Sequence, residues 1–173
     1  MTTKLTLITG PSGSGKSIWC FKLAEQARGE GMTVGGLLSL SVMVEGRKVR
    51  IDLLDLISGE SRQLAFPQTM TSRKSVTPCW QFNPETLAWA NKVIRDLPPC
   101  DMVIIDEMGP LEFILGEGLE EGLRLIDTQQ VPQVYVVVRP ELLSQALDRW
   151  PWAGVVNLTE GSVTAGAEGE KYR

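Results

Sequence analysis

Eight consecutive residues, Gly10-Pro11-Ser12-Gly13-Ser14-Gly15-Lys16-Ser17, set glycines, a lysine and a hydroxyl at the spacing G-x-x-x-x-G-K-[ST]. The chemistry open to such a stretch is capture of a phosphate chain. Gly10, Gly13 and Gly15 admit backbone conformations closed to other residues, so successive N–H groups can converge on one anion. A helix that starts directly after the loop adds its unpaired N–H groups and the positive end of its dipole. Lys16 is then expected on the β/γ-phosphate oxygens and Ser17 on Mg2+. The plain alternative is a Gly/Ser-rich turn that binds nothing. Context speaks against it, because the apolar run Leu5-Thr6-Leu7-Ile8 precedes the loop and a helical stretch, 18–28, follows.

Two carboxylates form the second chemical element. The run Asp101-Met102-Val103-Ile104-Ile105-Asp106-Glu107 has strand length and ends in acids. Strands of a parallel sheet covered on both faces are almost continuously apolar, and ligands bind at their carboxyl ends. Asp106 is expected to hold Mg2+, directly or through a water, and Glu107 to orient and polarise the water that attacks a γ-phosphate. The alternative is a strand running into an acidic turn. Arg139 closes the apolar run 133–138 and so stands at a carboxyl end too. Two roles stay open for it: sensing or stabilising the γ-phosphate, or pairing with a neighbouring acid.

Composition limits the remaining chemistry. The 173 residues contain no histidine, which removes Ser-His and Cys-His catalysis and most transition-metal sites. Cys20, Cys79 and Cys100 lack C-x-x-C spacing and read as small buried hydrophobes. Carboxylates, lysine, arginine, backbone dipoles and a hard cation such as Mg2+ are left. A net charge of -4 gives no general attraction for nucleic acid or an acidic membrane. No apolar run approaches a bilayer span, and the N-terminus enters a strand without a leader-like region, so a cytoplasmic protein is expected. Nothing points to an oligomer, so a monomer is the default.

The length suits one domain, 1–173, with a central sheet covered by helices on both faces. Residues 3–9 read as the first strand and 16–28 as the first helix. Residues 34–44 and 49–56, joined through Glu45-Gly46-Arg47, read as a β-hairpin, with a short strand at 63–66; 34–66 is taken as an insertion on the sheet edge. Residues 67–78, carrying Arg73-Lys74, read as a polar loop. Asn83-Pro84-Glu85 is a helix start, with Leu87, Ala90, Ile94 and Leu97 at helical spacing and Pro98-Pro99 as the stop. Leu119, Leu123 and Ile126 mark another helix, 133–138 a buried strand, 141–149 a short helix and 155–158 a last strand. Residues 161–173 read as a loose tail.

The phosphate loop, Gly31-Met32-Thr33-Val34-Gly35-Gly36, the hairpin with Asp52-Leu53-Leu54-Asp55-Leu56 and Ser58-Gly59-Glu60, and Ile105-Asp106-Glu107-Met108-Gly109-Pro110-Leu111-Glu112 together resemble the thermophile-type, or cancer-related, nucleoside-triphosphatase family. The similarity runs from about residue 5 to about residue 139. The resemblance implies an α/β, three-layer P-loop NTPase with a RecA-like, mostly parallel sheet and an extra strand between the phosphate-loop strand and the Asp-Glu strand. It also implies slow, Mg2+-dependent hydrolysis of nucleoside triphosphates with loose base preference, with residues 10–17 as the phosphate site and Asp106 and Glu107 as metal and water positions. The chain departs from the family at Leu40, Ser41 and Met43, where acidic and arginine residues are usual, and at 157–162, which lack an arginine.

The reading is therefore a nucleoside triphosphatase acting on ATP, GTP or related triphosphates. Two alternatives stay beside it: a nucleotide or small-molecule kinase, and a nucleotide-dependent switch or assembly factor.

Overall fold

A computed structural model describes residues 3–68 and 80–159. The expected tail and most of the expected 67–78 loop, including Arg73-Lys74, lie outside the described residues. Strands β1 (Lys4–Thr9), β2 (Val34–Val44), β3 (Arg47–Asp55), β4 (Ser61–Pro67), β5 (Trp80–Phe82), β6 (Met102–Met108), β7 (Gln133–Val138) and β8 (Gly154–Asn157) form one sheet in the order β5-β4-β3-β2-β6-β7-β1-β8. The pairs β2/β6, β6/β7, β7/β1 and β1/β8 are parallel, while β2 to β5 meander antiparallel.

Helix α1 (Lys16–Gly29) covers one face, packing Cys20, Ala24 and Ala27 on Ile8, Leu38, Ile104 and Val137. Helices α2 (Pro84–Arg95), α3 (Glu120–Thr128) and α4 (Leu143–Arg149) share the other face with Leu7, Leu37, Leu53, Val103, Ile105 and Val136. The result is the expected three-layer α/β arrangement. The middle strands are apolar on both faces because both are covered: Val103, Ile104 and Ile105 are each at most 1% exposed. Asn83 caps α2 as its sequence indicates, its Oδ1 accepting from the Glu85 N–H at 2.9 Å. Among the described residues no helix is long and apolar enough to cross a membrane.

The hairpin region does not begin at the sheet edge. Residues Val34 to Leu37 pair parallel with Met102 to Ile105, so the first third of β2 belongs to the central sheet and only its far part departs with β3. Gly36 permits this: its φ is +108°, and a Cβ there would stand 2.0 Å from the Ile104 carbonyl oxygen. The start of the 141–149 helix is also modified. Pro140 opens a 3-10 turn, Pro140–Leu142, before α4 begins.

Candidate active site at the carboxyl ends of the strands

β7 lies between β1 and β6, so three chain ends emerge side by side: Thr9 into the glycine-rich loop, Val138 into Arg139, and β6 at Asp106 and Glu107. The loop wraps ahead of α1. Ser14 N–H donates to the Pro11 carbonyl at 3.1 Å, and Trp19 N–H makes the first helical bond to Gly15 at 2.8 Å. Gly10 is pressed against the carbonyl of Leu158, where a Cβ would come within 2.2 Å. Pro11, Ser12 and Gly13 are exposed at the loop's crest, while Gly15, Lys16 and Ser17 are half-buried. Lys16 folds back across the loop, its Nζ donating to the carbonyls of Gly10 at 2.8 Å and Pro11 at 2.9 Å. The hydroxyls of Thr9 and Ser14 are buried without a hydrogen-bond partner among the described residues. Two buried hydroxyls, one just before the loop and one within it, are thus left as unspent donors.

At Asp106 and Glu107 the β6/β7 register slips: Ile105 faces Val136 and Met108 faces Val138, so one extra residue bulges from β6. The Asp106–Glu107 peptide is cis. A bulge re-aims side chains at the end of a strand, and here consecutive carboxylates take different surroundings. Asp106 is 1% exposed. Its carboxylate accepts from the Ser17 hydroxyl, and its Oδ2 accepts from the Ser39 N–H at 3.2 Å. The Ser39 hydroxyl donates to the Asp106 carbonyl. Burial pushes the Asp106 carboxyl up to about 7; the Ser17 hydroxyl opposes this, and the charge of Glu107 adds to it.

Glu107 is half-buried, and its Oε1 accepts from Arg139 Nε. Burial works against the Arg139 cation, but the charges of Glu107, Glu141 and Glu112 outweigh it and raise its pKa. Of the two roles left open for Arg139, the geometry shows the pairing with an acid, and the acid is the one expected to face water.

All the residues singled out from the sequence, Gly10 through Ser17 together with Asp106, Glu107 and Arg139, are thus gathered at one end of the sheet. Ser39 was not singled out, and Glu112 was named only as the end of the stretch that carries the family resemblance, with no role given. Ser39 sits inside the stretch read as a hairpin, with its partner Asp106 far along the chain. Glu112, 7% exposed, takes backbone amides as partners, which leave no trace in side-chain spacing.

The donors fit Mg2+. Ser17 and Asp106 supply hard oxygen atoms already in contact, and Mg2+ characteristically takes one or two such protein ligands and completes its shell with phosphate oxygens and water. Among the described residues no group of three or more His, Cys, Asp or Glu is placed to cage an ion, so the sparse site is the one to consider.

Comparison with known proteins gives a consistent set. Residues 5–161 match the model of the family described as NTPase. The nucleoside-triphosphatase THEP1 of Methanopyrus kandleri is 28% identical over 131 residues, 76% of this chain and 71% of that protein. The protein of the same name from Pyrococcus abyssi is 27% identical over 157 residues, 88% and 85% of the two chains. In fold, the chain is similar to the solution structure of a human cancer-related nucleoside triphosphatase, with a TM-score of 0.71, 20% identity and coverage of 94% and 93%. The crystal structure of THEP1 from Aquifex aeolicus gives a TM-score of 0.66 at 20% identity, covering 90% of each chain.

Proposed function

Since this chain belongs to the NTPase family, we propose that it hydrolyses ATP, GTP or related nucleoside triphosphates to the diphosphate and phosphate, with Mg2+ as cofactor. The observation that carries this reading is the emergence of the phosphate loop and of the Asp106-Glu107 pair at the same end of the sheet. The contact of the Ser17 hydroxyl with Asp106 joins the two across the intervening strand β7.

The loop N–H groups and the α1 N-terminus bind the phosphates. Lys16 exchanges its two loop carbonyls for β/γ-phosphate oxygens, a trade of neutral for charged acceptors. Ser17 and Asp106 would hold Mg2+, which when bound neutralises phosphate charge. Arg139 occupies Oε1 of Glu107, so the other oxygen is left to orient the attacking water and draw off its proton. Phosphoryl transfer asks little covalent help of a protein, and positioning and electrostatics carry the rate. A carboxylate directly after the metal position favours water over an alcohol or phosphate as acceptor. We take the enzyme as a cytoplasmic monomer, and its net charge of -4 supports the expectation of no nucleic-acid partner.

Phosphate release from ATP, GTP, CTP and UTP with Mg2+ tests the reading. Wild type is expected to hydrolyse several of them. Glu107→Gln should bind with turnover cut to a small residual, and Lys16→Ala should lose binding. A wild type that binds nucleotide yet releases phosphate only when an acceptor is added is a kinase instead.

A further inference from the structure

The chain that leaves Glu107 is held by a second acid. Glu112 lies in a single π-helical turn, Leu111–Leu115, and is 7% exposed. Its Oε2 accepts from the Gly109 N–H at 2.8 Å and its Oε1 from the Leu119 N–H at 2.8 Å. One carboxylate therefore closes both ends of the segment between β6 and α3, and Gly109 is only two residues beyond Glu107. The fit leaves no slack: a Cβ on Gly118 would stand 2.1 Å from Glu112 Oε1. The same turn is seated on the core through Phe113, whose ring meets Trp150 edge-on at 5.7 Å.

Two amide donors need two acceptor oxygens, which a carboxylate supplies and a neutral amide, with only one, does not. The charge of Glu112 also acts on both members of the active pair. It draws on Arg139 together with Glu107 and Glu141, and it and Glu107 repel each other.

We propose that Glu112 is a positioning residue for Glu107, acting through the Gly109 amide. The assignment rests on Glu107 being the water-orienting residue. Misplacing a reacting group by about 1 Å costs up to about 100-fold in rate, so the effect of Glu112 belongs in kcat.

The test uses the full chain with Mg2+ and ATP, measuring kcat, KM and the stoichiometry of a non-hydrolysable ATP analogue for wild type, Glu112→Gln, Glu107→Gln and the double variant. Glu112→Gln is expected to lower kcat about 10- to 100-fold, with KM and analogue affinity within about threefold of wild type and full stoichiometry. In the Glu107→Gln background it should remove nothing further. Glu112→Asp, which keeps the charge but is one methylene too short to hold both amides, should reproduce part of the kcat loss; it carries the test if Glu112→Gln does not fold. The proposal is overturned by an unchanged kcat, by a loss equal to the fall in stoichiometry, or by the same loss factor in the Glu107→Gln background. If wild type releases no phosphate, the triphosphatase reading fails and this one with it. If Glu107→Gln is cut to a small residual and Glu112→Gln is not impaired, only the role of Glu112 is lost.

Discussion

Replacing Asp106 by asparagine is expected to make the metal-free protein more stable at neutral pH while abolishing its activity. The side chain is 1% exposed, and burial moves its carboxyl from the ordinary 3.8 to about 7. Between those values the folded chain keeps a proton that the unfolded chain has released. The stability contributed by the neutral acid is therefore complete below about pH 4 and lost as the pH rises through about 7. That interval is worth about 4 kcal/mol. Asparagine never ionises, and its neighbours can serve it: the Ser39 N–H donates to its oxygen and the Ser17 hydroxyl turns to accept from its amide. For a chain of this size 1 kcal/mol moves Tm by about 2–4 °C. In EDTA, wild type should then fall behind Asp106→Asn by about 8–16 °C between pH 4 and pH 8, read from thermal melts by far-UV circular dichroism. Mg2+ with a non-hydrolysable triphosphate should raise the wild-type Tm by more than the variant's, which keeps the phosphate loop but loses a metal ligand. Parallel Tm curves over that pH range, or a variant less stable than wild type at pH 8, would refute the reasoning.

Two further outcomes follow from the geometry. Gly36→Ala sets a Cβ 2.0 Å from a backbone carbonyl at φ +108°, and should cost about 3–5 kcal/mol in urea unfolding, with a lower midpoint and an unchanged slope. Arg139→Ala frees Glu107 and should lower kcat about 10- to 100-fold in phosphate-release assays. Arg139→Lys should restore only part of that, because an ammonium lacks the Nε–H and the planar fork.

The loop and the carboxylate pair were legible because each is contiguous: Gly10 to Ser17 and Asp106-Glu107 carry their chemistry within a few residues. The central strands were legible from burial on both faces, and 133–138 is found with the bounds its apolar run indicates. Long-range choices were not. Whether Val34 to Leu37 lie at an edge or in the centre depends on the approach of β6, which the Gly35-Gly36 pair allows but does not announce. The strand Trp80–Phe82 has three residues, too few to show alternation. Arg139 had several acids within reach, and only the sheet order decides that Glu107 receives it.

The insertion of β7 between β1 and β6 also dictates when the site can exist. A ribosome releases β1 and its loop first and Asp106 and Glu107 much later, yet these two strands never pair with each other. Until residues 133–138 have left the exit tunnel, the nascent chain has no template that sets the loop beside its carboxylates, and a domain folds as a unit during synthesis. A site that sets the loop beside Asp106 and Glu107 therefore exists only once β7 has emerged and joined the sheet.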